Sequence, residues 1–263
     1  MKRASVLFDN NLVSSSNLAY DFLNSVHIES CSGVRVTHND FVHTSRGAVS
    51  FDYSYDVLIE YNNFDSVMEN SEDGGAVYNW GSVDGWSIKV CHNFFGPLHR
   101  DGTGCFGYYI DDNSGGAEVY ENLFYNAACP VMFHLGRDNS VHDNVFIDTV
   151  GVAGIGVSIP HRNTIDEVGY EAALRIFPTD RTKVWWGNIF NLIETYPEYR
   201  EGVEKWCPGI LSVTLDESRM DDPEFYLNPV NSVTDCVYLN PEGKVNEFTE
   251  KYQKQYMTVS GLR

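Results

Sequence analysis

Positive charge is what this sequence is short of. Eighteen Lys and Arg stand against 37 Asp and Glu, which leaves a net charge of −19 over 263 residues. A nucleic-acid binder needs a basic face to displace counterions, so this balance argues against nucleic acid as a partner. The same repulsion disfavours anionic membrane surfaces. No run of about 18 apolar residues occurs, so no transmembrane helix is expected. The first eleven residues, Met1 to Asn11, are basic but hold no continuous apolar stretch and do not read as a secretory signal. The six cysteines form no CxxC pair and no Cys/His zinc spacing. They read as free, mostly buried thiols. A Gly-rich phosphate loop, a GxSxG elbow and an HExxH helix are all missing, which lowers the kinase, elbow-hydrolase and zinc-protease readings.

What the chain does hold is a repeat of the form Asn-x-Phe. It occurs as Asn39-Asp40-Phe41, Asn62-Asn63-Phe64, Asn93-Phe94-Phe95, Asn122-Leu123-Phe124 and Asn144-Val145-Phe146. Asn10-Asn11-Leu12 reads as an earlier member, and the intervals from Asn10 to Asn144 are 29, 23, 31, 29 and 22 residues. Each member follows an alternating run such as Val34-Arg35-Val36-Thr37 or Val57-Leu58-Ile59-Glu60, a period of two that means strand. A second strand opens after Gly or Pro, as in Gly47-Ala48-Val49-Ser50-Phe51, Gly75-Ala76-Val77-Tyr78 and Gly107-Tyr108-Tyr109-Ile110. Two strands per repeat are therefore expected. Such units bury a face only when stacked, each strand pairing in parallel with its counterpart one turn on. The Asn is expected in the tight turn, with left-handed backbone, and the stacked amides in a hydrogen-bonded ladder.

These features predict an all-β fold, a right-handed parallel β-helix of about six to eight coils. Leucine-rich repeats lack their Leu skeleton here, and propeller blades are longer. The coils span residues 1–159. A loop and helical excursion is expected over 160–228, with Glu198–Trp206 helical after Pro197. A final coil and a C-terminal helix or tail follow over 229–263. Trp185–Phe190 offers one more Asn-x-Phe. Strand-like sequence begins almost at Met1, which predicts that a preceding region or another subunit covers the first coil's edge.

Chemistry is expected where turns lengthen. Met68–Gly75 and Gly96–Gly104 occupy the same place in adjacent coils and would wall a cleft. The coil register is expected to put Asp52, Asn79, Asp111 and His134 in one polar column, with Asp73 just before the same strand. Asp73, Asp111 and Asp112 are the candidate catalytic carboxyls. A pair at about 5–5.5 Å or about 6.5–9.5 Å performs glycoside hydrolysis with retention or inversion. Each of them alone also reads as a turn cap. Tyr78, Trp80 and Tyr109 offer faces for sugar rings, and His134 and Arg137 offer polar contacts to substrate. No metal site is expected for a hydrolase, since the chain has no D-x-D-x-D-G loop. His38 and His92, beside their Asn residues, read as structural.

Leu58–Asn62, Glu72–Tyr78, Gly107–Asp112, Glu121–Tyr125 and Gly136–Asn139 together resemble a family. They are similar to the right-handed parallel β-helix proteins of carbohydrate metabolism, most of all to bacterial glycoside hydrolases of the fucosidase/xylanase kind. Thr195–Tyr199 resembles the helical insertion of that family before its final coil. The resemblance covers residues 50–240 and implies a carbohydrate substrate, no resident cofactor, and a glycan-active site around Asp73 and Asp111/Asp112. It also implies a secreted or periplasmic setting and a longer chain. His134-Leu135 and Asn79-Trp80 depart from the pattern of the family. The alternatives are a calcium-assisted polysaccharide lyase on a uronate glycan, using Arg100, Arg137 or Lys89, and a non-catalytic carbohydrate-binding or structural β-helix.

Overall fold

The computed structural model describes residues 6–17, 19, 22–52, 54–80, 87–98, 105–111, 114–127, 129–134, 139–149, 154–156, 197, 231–239 and 257–262. Regular structure among these residues is all β-strand. The helix expected over 198–206, residues 240–256 of the expected C-terminal helix or tail, and the repeat at 185–190 lie outside the described residues.

Each repeat contributes three strands, not two. The first holds β1 (Val6–Asp9), β2 (Leu12–Ser14) and β3 (Val26–Glu29). The second holds β4 (Ser32–Thr37), β5 (Asp40–Val42) and β6 (Val49–Asp52). The third holds β7 (Tyr55–Glu60), β8 (Asn63–Asp65) and β9 (Gly74–Asn79). The fourth holds β10 (Ile88–Cys91), β11 (Phe94–Phe95) and β12 (Cys105–Ile110). The fifth holds β13 (Ala117–Tyr120), β14 (Leu123–Tyr125) and β15 (Cys129–His134). The sixth holds β16 (Ser140–His142), β17 (Val145–Ile147) and β18 (Gly154–Gly156). Then come β19 (Asn231–Thr234), β20 (Val237–Leu239) and β21 (Met257–Ser260). Sorted by position in the repeat, they form three parallel sheets of eight, seven and six strands.

The corner between the first two strands explains the repeat. The left-handed residue is the one before the Asn: Asn10, His38, Tyr61, His92, Glu121 and Asp143 have φ between 52° and 57°. The Asn itself turns inward, which corrects the expected left-handed Asn. Asn39 Nδ2 donates to Asn62 Oδ1 at 2.9 Å, Asn62 to Asn93 at 3.0 Å, Asn93 to Asn122 at 3.1 Å and Asn122 to Asn144 at 3.0 Å. Each Oδ1 also accepts the backbone N–H of the Asn one repeat earlier. The amides thus satisfy corner groups that have no place in a strand ladder. The ladder begins at Asn11, which donates to Asn39 Oδ1 at 2.9 Å, not at Asn10.

Two residues on, the Phe side chains stack in the core. Phe41, Phe64, Phe95, Phe124 and Phe146 are fully buried, and their ring centroids succeed one another at 5.3, 4.9, 4.5 and 5.2 Å. Val34, Val36, Val57, Ile59, Ile88, Val90 and Val119 close the same core from the eight-stranded sheet. Outside the corners runs a second stack, His38, Tyr61, His92, Tyr120 and His142. His38 and His92 are thus part of the scaffold. Cys31, Cys91, Cys105 and Cys236 are free thiols. Burial pushes Cys105 up to about 11, so it stays protonated and unreactive.

Candidate active site

The site is built on the six-stranded sheet. In its strands, alternate residues face the core: Val49 and Phe51, Val77 and Asn79, Tyr108 and Ile110, Val131 and Phe133. The intervening residues form two rows on the other face. Strand pairing aligns His27, Ser50, Tyr78, Tyr109 and Met132 in one row. One residue beyond the aligned Phe51, Asn79, Ile110 and Phe133 lies the second row: Asp52, Trp80, Asp111 and His134, with Glu29 beside Asp52.

Asp111 is the centre of this face. Its Oδ1 lies 2.5 Å from His134 Nδ1, and its Oδ2 accepts the Tyr78 hydroxyl at 2.9 Å. Both Asp111 and His134 are buried, at 7% and 8% exposure. The backbone around the acid is fixed too. Asp111 N–H donates to Asn79 O at 2.9 Å, and Ser114 returns its N–H and hydroxyl to Asp111 O. Tyr109 packs edge-on to Phe106 and tilted against Tyr78 and His134. Burial, then the charge and hydrogen bond of Asp111, then the charges of Asp73 and Tyr109, hold the Tyr78 hydroxyl far above its ordinary pKa. Tyr78 is therefore a neutral donor here and not a base.

Of the residues singled out from the sequence, Asp111, Tyr78, Tyr109 and His134 come together. Trp80 joins their face, 42% exposed, and its backbone N–H donates to Asp52 Oδ1 at 3.1 Å. Asp73 precedes β9 with φ 58° and Asp111 follows β12, so the two flank opposite ends of paired strands. Asp73 bears on the cluster through its charge at Tyr78, and its carbonyl accepts Arg46 Nη2 at 2.7 Å. Asp112 and Arg137 lie outside the described residues, as does Arg100. Asn79 is not in the polar column. It occupies the core row with Phe51 and Ile110, and neither amide atom meets a hydrogen-bonding partner in the protein. The cause is a one-residue slip: Gly75 pairs with Phe106, not with Gly107. Lys89 pairs with Glu118 at 3.5 Å on the eight-stranded sheet, away from this face.

Asp52 stands in the row of Asp111 and His134, as the coil register predicts, and two features around it, His27 and Arg46, carry no sequence signal beyond residue type. Asp52 shares the row of Asp111, with His27 Nε2 3.8 Å from its Oδ2, while His27 Nδ1 meets Ser50 Oγ at 2.9 Å. Burial raises Asp52 above the usual carboxylate range, partly offset by the Trp80 N–H and His27. Arg46 lies over the Tyr78 ring, 5.8 Å from its centroid, and equally over Phe22. Among the described residues, no three His, Cys, Asp or Glu side chains gather as a metal site. No protein-family model, curated protein or solved structure matches the chain.

Proposed function

We propose that the chain is a right-handed parallel β-helix whose six-stranded sheet presents a glycan-hydrolysing face, acting on a neutral or weakly charged poly- or oligosaccharide. The observation that carries this reading is Asp111: a buried carboxyl, oriented through both oxygens by His134 and Tyr78, on a face that also exposes Trp80. Such an acid is held in one geometry, as a carboxyl catalyst requires, and an aromatic side chain beside it suits the apolar face of a sugar ring. The resemblance of Gly107–Asp112 and Glu72–Tyr78 to β-helix glycoside hydrolases supports the same reading. A carbohydrate is the partner this face fits. The net charge of −19 favours uncharged glycans over polyuronates. The lyase alternative draws its base from Arg100, Arg137 or Lys89, and Lys89 pairs with Glu118 on the eight-stranded sheet, away from this face.

The test is release of reducing sugar from a panel of plant, algal and bacterial oligosaccharides. Asp111→Asn is expected to abolish release while the protein stays folded. An unsaturated, ultraviolet-absorbing product would replace hydrolysis by elimination. Binding to a glycan array with no product after long incubation would leave a binding module.

A further inference from the structure

We infer that the open edge of the first repeat is a docking site for an extended segment of another protein, one that carries Asn followed two residues later by an apolar side chain. The site is separate from the polar face of the six-stranded sheet.

The Asn ladder has a direction. Each ladder Asn sends its backbone N–H and its Nδ2 forward to the Oδ1 of the Asn in the next repeat, so each Oδ1 is filled from the repeat before. Asn11 obeys the forward half of this rule: its N–H and Nδ2 reach Asn39 Oδ1 at 3.0 and 2.9 Å. Its own Oδ1 accepts from no described residue. The backbone repeats the asymmetry. The residue after each later Asn donates its N–H backward to the preceding Asn carbonyl, as Asp40 does to Asn11 and Asn63 to Asn39, both at 2.9 Å. Leu12 holds that place in the first repeat, and its N–H is directed at the open edge. One acceptor and one donor thus stand side by side. An Asn satisfies both: its N–H and side-chain amide fill Asn11 Oδ1, and its carbonyl takes the Leu12 N–H.

The apolar side of the edge is open as well. Asn11 is exposed, whereas Asn39, Asn62, Asn93, Asn122 and Asn144 are buried. Phe8 and Val13 are only partly buried, although Val36 and Phe41, which pair with them, are fully covered. An apolar residue two places after the incoming Asn lands on Val13 and extends the Phe column. A strand added to a sheet edge draws affinity from main-chain hydrogen bonds and specificity from alternate side chains. A second copy of this chain does not supply these groups. The corner places after Asn144 hold Cys236 and Leu262, so the last described corners of a copy bring no amide. Turned end over end, a copy sets its own Asn11 Oδ1 against this one, acceptor against acceptor. Asp9 and Glu29 are exposed on the first repeat and the net charge is −19, so the incoming segment is neutral or basic.

The experiment titrates the full chain at pH 7 into fluorescent, Lys-flanked peptides and reads anisotropy. One peptide has the sequence of Val57–Ser66, a second carries Ala at the place of Asn62, and a third has the order reversed. The first is expected to bind about tenfold or more tightly than either of the others. Asn11→Ala is expected to erase that preference while the weak binding of the Ala peptide stays unchanged. Should this variant unfold, the ranking of the peptides on the unmodified chain decides alone. Equal binding of the Asn and Ala peptides, a preference that survives in folded Asn11→Ala, or no binding at millimolar concentration overturns the inference. So does a dimer in sedimentation that the Asn peptide breaks apart, since the occupant is then a second copy.

Discussion

Asn93 and Asn79 are both buried, yet their amides have opposite fates. Asn93 Nδ2 donates to Ile59 O, Cys91 O and Asn122 Oδ1, and its Oδ1 accepts from Asn62. Removing it leaves buried donors and acceptors unmet. Asn93→Ala is therefore expected to cost about 3 kcal/mol or more, read from urea midpoints. Asn79 faces the core without protein partners, so its desolvation is uncompensated. Asn79→Leu is expected to stabilise by about 1–2 kcal/mol in the same assay. Asp52 obeys a related sign rule. Its pKa is higher folded than unfolded, so ionisation at neutral pH works against folding, and stability recovers as pH falls through its folded value. Asp52→Asn is expected to melt at or above the temperature of the unmodified chain at pH 7, with the difference shrinking as pH falls through the folded value of Asp52. A lower melting temperature at pH 7 would contradict the buried-acid account.

At the scale of elements, close approach limits what the strands tolerate. A Cβ on Gly107 would stand 2.4 Å from Pro130 O and 2.8 Å from the Phe124 ring. The first contact is backbone of a paired strand, so relief requires the sheet to shift. Gly107→Ala is expected to destabilise by about 2 kcal/mol, seen in the denaturation midpoint. The corner turns carry their own electrostatics. His43 Nδ1 lies 2.9 Å from Glu69 Oε1, and this hydrogen bond and charge raise the His43 pKa above 6.5. Its contribution is present below the unfolded value and is lost as pH rises through the folded one. NMR titration of the His43 ring is expected to show the raised value, and Glu69→Gln to bring it down.

At the scale of the whole molecule, charge and edges oppose each other. Among the described residues, β1, β2 and β3 end their sheets, and Leu7, Leu12 and Phe22 near them are exposed. Unpaired strand edges with apolar side chains recruit other strands. The charge of −19 keeps copies apart at pH 7. Near pH 4.6, where that charge vanishes, light scattering is expected to report self-association that reverses on return to pH 7. Scattering that stays flat through pH 4.6 would show that these edges are protected.

The repeat was legible in the sequence because its cause is local. A left-handed residue, an inward Asn and an inward Phe are set within four positions of chain, so every corner carries the same signature whatever the length of the loops between. All-β structure and parallel stacking follow from it. The polar face was legible only in part. Asp52, Asp111 and His134 were picked out by the coil register, and Tyr78 and Tyr109 by their type beside the expected cleft. Their arrangement depends on pairing across intervals of 22–31 residues, and a slip of one residue sends a side chain to the opposite face. That slip placed Asn79 where Trp80 belongs. Asp52, Asp111 and His134 were aligned by the repeat count across three of four successive repeats, and only the register of the assembled sheet put Trp80 in the row between them.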